Sequence, residues 1–153
     1  MKRRRVLAAS AGGLLALSGC VTARRTGTLV FDPIPPDRPD DCPRSQKVGV
    51  EFPVSLEDDA VISFVREYET ALQERNGVGP DRLSIDVTLT DWSDNYIADL
   101  AVVLDADTPE EHRYSAAYYV GEFLLSRTAV DGGDLPPDPR EGEVLECRRS
   151  IDT

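Results

Sequence analysis

The sequence predicts an α+β domain over residues 46–149, with one amphipathic helix packed across a curved antiparallel sheet of four to five strands. Three patterns carry that expectation. Apolar residues recur at helical spacing between Ala60 and Leu72. The run Leu83 to Leu89 alternates strictly between apolar and polar residues, as a half-buried strand does. Further alternating runs follow, separated by short turn-forming segments and with no second helical pattern, which favours antiparallel strands over strand–helix–strand units.

In chain order, a first strand is expected at Lys47 to Phe52, where Val48, Val50 and Phe52 share a face and Pro53 ends the run. Ser55 is the expected helix N-cap, with Glu57 and Asp58 in the first turn, at the positive end of the helix dipole. Ala60, Val61, Phe64, Val65, Tyr68, Ala71 and Leu72 form the apolar face, and Arg66, Glu67, Glu69 and Glu74 fall on the other. Asn76-Gly77 supplies the stop. Leu83, Ile85, Val87 and Leu89 mark the next strand, with Trp92 near its end; Ser93-Asp94-Asn95 turns the chain, and Tyr96 to Leu104 returns.

A third long strand is expected from Arg113 to about Thr128, with Gly121 as a bulge or bend where the inward phase shifts. Tyr118 and Tyr119 point to opposite faces of it, one into the core and one onto an outer face where aromatics offer either packing or a binding surface. A Gly- and Pro-rich loop then leads to a short strand, Glu143 to Arg148, that carries Cys147; residues 150–153 are a tail. Strand, helix, then antiparallel strands is an order that resembles the cystatin-like and NTF2-like superfold over roughly residues 46–149. The resemblance is one of element order. The Q-x-V-x-G hairpin of the protease-inhibiting cystatins is missing from the turn at residues 93–95, so inhibition is not implied.

The amino terminus follows a processing pattern. Lys2, Arg3, Arg4 and Arg5 precede a weakly apolar run from Val6 to Leu17. That run is shorter than the ~20 residues a membrane span needs, and it fits a secretory signal at 1–19. Leu17-Ser18-Gly19-Cys20 resembles a lipobox, which implies cleavage before Cys20 and a lipid on its sulfur; a buried or disulfide-bonded Cys20 is the alternative. Arg3-Arg4-Arg5-Val6-Leu7 resembles the twin-arginine export signal, an address that a receptor reads, with Sec export as the other route. The expected location is the outer face of the cytoplasmic membrane, held by the lipid on Cys20. Residues 20–45 then serve as a tether stiffened by Pro33, Pro35, Pro36, Pro39 and Pro43.

Charge narrows the partners. The chain carries a net charge of −11, and all its acidic residues follow Cys20, whereas four of its 17 basic residues precede it. The remainder therefore balances 13 basic against 28 acidic residues, with Lys47 its one lysine. This acidic, arginine-using composition resembles the exported proteins of halophilic archaea, whose carboxylate surfaces stay hydrated while salt screens their repulsion. Nucleic acid is not an expected partner, because there is no basic patch to displace counterions from phosphates. With Cys20 lipidated, Cys42 and Cys147 make an even remainder that reads as one disulfide; two unrelated thiols are the alternative.

No catalytic constellation is legible. His112 is the sole histidine and is expected in a solvated loop; a blue-copper site would need two. Asp105, Asp107, Glu110 and Glu111 gather hard oxygen donors for Ca²⁺ or Mg²⁺ but lack EF-hand spacing, and a solvated acidic loop is the simpler reading. Thr108-Pro109-Glu110-Glu111 also reads as a helix start. Common nucleophile, phosphate-loop and dinucleotide motifs are missing from the sequence, and no cofactor is expected. The expected function is a non-enzymatic binding or interaction domain for an unknown protein or small molecule. A small-ligand carrier or enzyme using a helix–sheet pocket is the alternative.

Overall fold

The structure, a computed structural model, describes residues 48–92 and 94–147. The expected signal with Arg3 and Arg4, the expected lipidation site Cys20, the expected tether and Cys42 lie outside the described residues. One helix, α1 (Asp58–Arg75), packs on a five-stranded sheet made of β1 (Leu83–Trp92), β2 (Asn95–Leu104), β3 (His112–Val120), β4 (Leu124–Asp131) and β5 (Glu143–Cys147). Every strand pairs antiparallel with its neighbour in sequence, giving the order β1-β2-β3-β4-β5. The α+β plan is the one the sequence predicts.

The core lies between α1 and one sheet face. Val61, Phe64, Val65 and Tyr68 of the helix meet Ala98, Leu100 and Val102 of β2, Ala116, Tyr118 and Val120 of β3, Leu125 of β4 and Leu145 of β5, all buried. Removing that apolar area from water is the main drive for docking the helix, at about 25 cal/mol per Å². Phe52, Phe64, Tyr68 and Tyr118 form a chain of tilted and edge-on ring contacts, with centroids 4.9, 5.6 and 6.1 Å apart. Asn76 and Gly77 end α1 as expected: Gly77 takes φ +85°, and the Val78 amide donates back to the Gln73 carbonyl.

Three expectations need correction. Val48, Val50 and Phe52 do pack against the core, but residues 48–52 form no strand. Gly49 takes φ +78°, which breaks the extended run. The helix N-cap is Glu57, without a side-chain cap, and Ser55 lies before it. Asp58 and Asp59 stand in the first turn, where the dipole favours them, and Asp58 also accepts from the Tyr96 hydroxyl at 2.8 Å. The expected long third strand is two strands. Gly121 marks a reversal, closed by its amide donating to the Leu124 carbonyl (2.9 Å), and a side chain there would crowd the Tyr119 ring.

The β3–β4 part of the face away from the helix is covered as well, while Ser84, Asp86 and Thr88 of β1 are exposed on it. The segment after β4 folds back over it, with Pro136 and Pro139 buried. Ser126 and Thr128 of β4 donate from their hydroxyls to the Pro139 and Pro137 carbonyls. Arg140 lies over the Trp92 ring, 4.2 Å from its centroid, and is itself held by the Asp138 carboxylate. Tyr118 and Tyr119 point to opposite faces as expected, and both are buried, so the outer aromatics Tyr119 and Trp92 pack rather than present a surface.

Candidate functional site

One carboxylate sits inside the helix–sheet interface. Glu69 falls four residues after Val65 and eight after Val61, on the row of α1 that faces the sheet, and is fully buried. The expectation that Glu69 lies on the solvent face of the helix is therefore corrected. Its partners come from the sheet by register. Tyr114 and Tyr118, two side chains apart on the inward row of β3, meet Arg127, the residue of β4 directly opposite Tyr118.

The Glu69 carboxylate accepts five hydrogen bonds. One oxygen takes the Tyr114 hydroxyl (2.5 Å), Arg127 Nη2 (2.7 Å) and Gln73 Nε2 (3.2 Å); the other takes the Tyr118 hydroxyl (2.6 Å) and Arg127 Nε (2.9 Å). Gln73 also donates to the Tyr114 oxygen at 2.8 Å. The fork of Arg127 thus grips the carboxylate with two parallel bonds, the geometry that makes charge-assisted pairs strong.

Electrostatics follow from this packing. Burial by itself would raise the Glu69 carboxyl; the hydrogen bonds and charge of Arg127, with the two tyrosine hydroxyls, outweigh it and hold the group below the usual carboxylate range. Burial and the Glu69 charge push Tyr118 and Tyr114 well above their ordinary values. For Arg127, burial works against the charge and Glu69 more than restores it, so the guanidinium is cationic at every accessible pH. Tyr68 beside this group is buried with a hydroxyl that makes no hydrogen bond, and burial followed by the charge of Glu146 pushes it up to about 12.

A shallow cleft of about 180 Å³ opens next to the network, lined by Leu72, Gln73, Asn76, Arg127, Glu143 and Leu145. Arg127 spends Nε and Nη2 on Glu69, which leaves Nη1 for whatever enters. Glu143 stands opposite Arg127 in the β4–β5 register and brings a carboxylate to the same rim. Chemically, the buried carboxylate has no lone pair left for proton transfer, and the cleft offers hydrogen-bond donors and acceptors of both signs.

The other residues singled out by sequence fall elsewhere. Asp105 is gripped by Arg82 through two 2.6 Å bonds, and Glu111 accepts from Arg113 Nε (2.6 Å) and the Asp107 amide (3.0 Å). Asp105 and Asp107 take positive φ, so the loop turns and the helix start expected at Thr108 does not develop. Glu110 is exposed at the same loop. Among the described residues no group of three or more His, Cys, Asp or Glu gathers at metal-binding distance. His112 is the first residue of β3 rather than a loop residue; it is about half exposed and lies 3.4 Å from the Asp131 carboxylate. Cys147 ends β5.

Fold and site together define a small α+β domain whose helix is bolted to its sheet by a buried ion pair, with a polar cleft at the rim. No protein-family model, curated protein or solved structure matches the chain. The resemblance to cystatin-like and NTF2-like domains gains no support from these comparisons, and the opening strand of the element order behind it does not form.

Proposed function

We propose that this chain is an exported, lipid-anchored interaction domain of a halophilic archaeon, attached to the outer face of the cytoplasmic membrane through Cys20. The observation that carries the non-enzymatic part is the saturation of Glu69: five donors occupy it, and the carboxylate best placed for acid–base work is a structural strut. The address rests on the basic run with Arg3 and Arg4, the short apolar segment and Leu17-Ser18-Gly19-Cys20. The high acidic content supports a salt-rich setting, where repulsion among the carboxylates is screened. A disulfide between Cys42 and Cys147 belongs to the same reading, since disulfides form and persist in the oxidising setting an exported domain reaches.

Membrane fractions from cells grown in high salt test the anchor. The wild-type chain should sediment with membranes and Cys20→Ser should be released, whereas a Cys20→Ser protein still firmly bound would sink the lipid attachment. Replacing Arg3 and Arg4 by lysine should block export if the twin-arginine route is used. Non-reducing mass spectrometry should find the Cys42 and Cys147 peptides linked.

A second reading, a small-ligand carrier, is favoured by the cleft at Arg127 and Glu143. It requires saturable binding of a small polar molecule that Glu143→Gln weakens while the fold stays intact.

A further inference from the structure

The two edges of the sheet differ. β5 is five residues long, carries a register shift opposite Leu125 and Ser126, and bears Glu143 and Glu146. β1 is ten residues long and pairs with β2 through ten consecutive residues without a bulge. Its sequence, LSIDVTLTDW, has no Lys or Pro, two residues that blunt natural sheet edges, and its only charges are Asp86 and Asp91. The outward backbone groups can be assigned. The Asp105 amide donates to the Arg82 carbonyl (2.8 Å), and an antiparallel ladder alternates, so the even-numbered residues of β1 bond to β2. Ile85, Val87, Leu89 and Asp91 then turn their N–H and C=O outward, where among the described residues they have no ladder partner, while the Leu83 amide donates to the Pro80 carbonyl.

We propose that this edge pairs with the same edge of a second copy of the chain, antiparallel about Val87, so that two sheets join into one. The strand is self-complementary in that register. On the core side Ile85 meets Leu89 of the other copy and Val87 meets Val87, while on the outer side Ser84 meets Thr90 and Asp86 meets Thr88. A shift of two residues one way places Asp86 against Asp86, and the other way places Asp91 against Ile85. The register about Val87 avoids the Asp86 pair and moves Asp91 to the strand end, opposite Leu83, and the two-fold axis makes the contact closed, so association stops at the dimer. This goes beyond the anchoring reading and does not depend on it.

Sedimentation velocity on the full chain carrying Cys20→Ser, over a range of protein and salt concentrations, tests the proposal. The exposed Thr88 is the probe: it faces Asp86 of the partner copy and, within its own sheet, Asp99 of β2, so the urea stability of each variant is measured beside its dimerisation. Thr88→Asp creates two like-charge pairs and should weaken the dimer about two- to thirtyfold in low salt, less in high salt. Thr88→Lys creates two opposite-charge pairs and should tighten it by a similar factor. Circular dichroism of each variant should match the parent. A chain that stays monomeric at every concentration, or a dimer indifferent to both substitutions, overturns the proposal.

Discussion

Replacing Glu69 with glutamine removes one charge and almost no volume, so it isolates the electrostatics of the helix–sheet contact. The amide offers one acceptor oxygen where the carboxylate offered two, and its nitrogen faces donors on Arg127 or Tyr118. Removing one partner of a buried ion pair costs about 3–5 kcal/mol. The stranded Tyr118 hydroxyl, fully buried, adds about 1–3 kcal/mol where no water reaches it. Arg127 is 20% exposed through the cleft and recovers some hydration, which places the expected loss at about 3–5 kcal/mol in all. A domain of this size is stable by only ~5–15 kcal/mol. Urea unfolding followed by the fluorescence of the single tryptophan, Trp92, should therefore show a midpoint lowered by roughly 2 M with little change in slope. A combined Glu69→Leu, Tyr114→Phe, Tyr118→Phe, Arg127→Leu variant removes the buried stranded groups, leaving only the half-buried Gln73 amide at the cleft, and should return to within about 2 kcal/mol of the parent. A loss below about 1 kcal/mol for Glu69→Gln alone would refute the claim that this carboxylate is desolvated and paired.

Acid should act through the same group. The folded carboxyl of Glu69 lies below its ordinary 4.5, so its contribution is complete above that pH and fades as pH falls through the folded value. The urea midpoint of the parent should drop in acid more steeply than that of Glu69→Gln; parallel curves would contradict the linkage. Gly142→Ala drives a methyl group into the Arg127 backbone carbonyl, which cannot rotate away, and should cost at least about 1–3 kcal/mol in the same assay. Arg140→Ala uncovers the Trp92 ring, so its emission should shift to the red, with about 1–2 kcal/mol of stability lost with the cation–π contact.

Much of the fold was legible because the signals are periodic. The helix announced itself through Val61, Phe64, Val65, Tyr68 and Leu72, and β1 and β2 through alternation that the register reproduces. Glu69 was misplaced because a charged residue on a helix is usually solvated, although it continues the row Val61, Val65, Glu69. Arg127 gave the matching clue, a lone cation two residues after Leu125 on the inward phase of a strand. Neither position identifies the other until β3 and β4 are seen as separate strands, which brings Arg127 opposite Tyr118. The break between those strands was hidden because Val120-Gly121-Glu122-Phe123-Leu124 is apolar enough to read as one bent strand. At residues 48–52 alternation was real but insufficient, since the backbone at Gly49 departs from the extended form.

The all-neighbour order of the sheet also bears on how the chain acquires its shape. Each hairpin closes between segments adjacent in sequence, so the five strands can assemble one reversal at a time with little loop entropy to overcome. The contact that cannot be made this way is Arg127 with Glu69, separated by 58 residues. It requires the helix, the third strand and the fourth to be in place together, and only then does the carboxylate leave water. The ion pair should thus be absent from the early transition state, slowing unfolding far more than it speeds folding. If the proposed export holds, stability of that kinetic kind would serve a domain that works away from cytoplasmic chaperones.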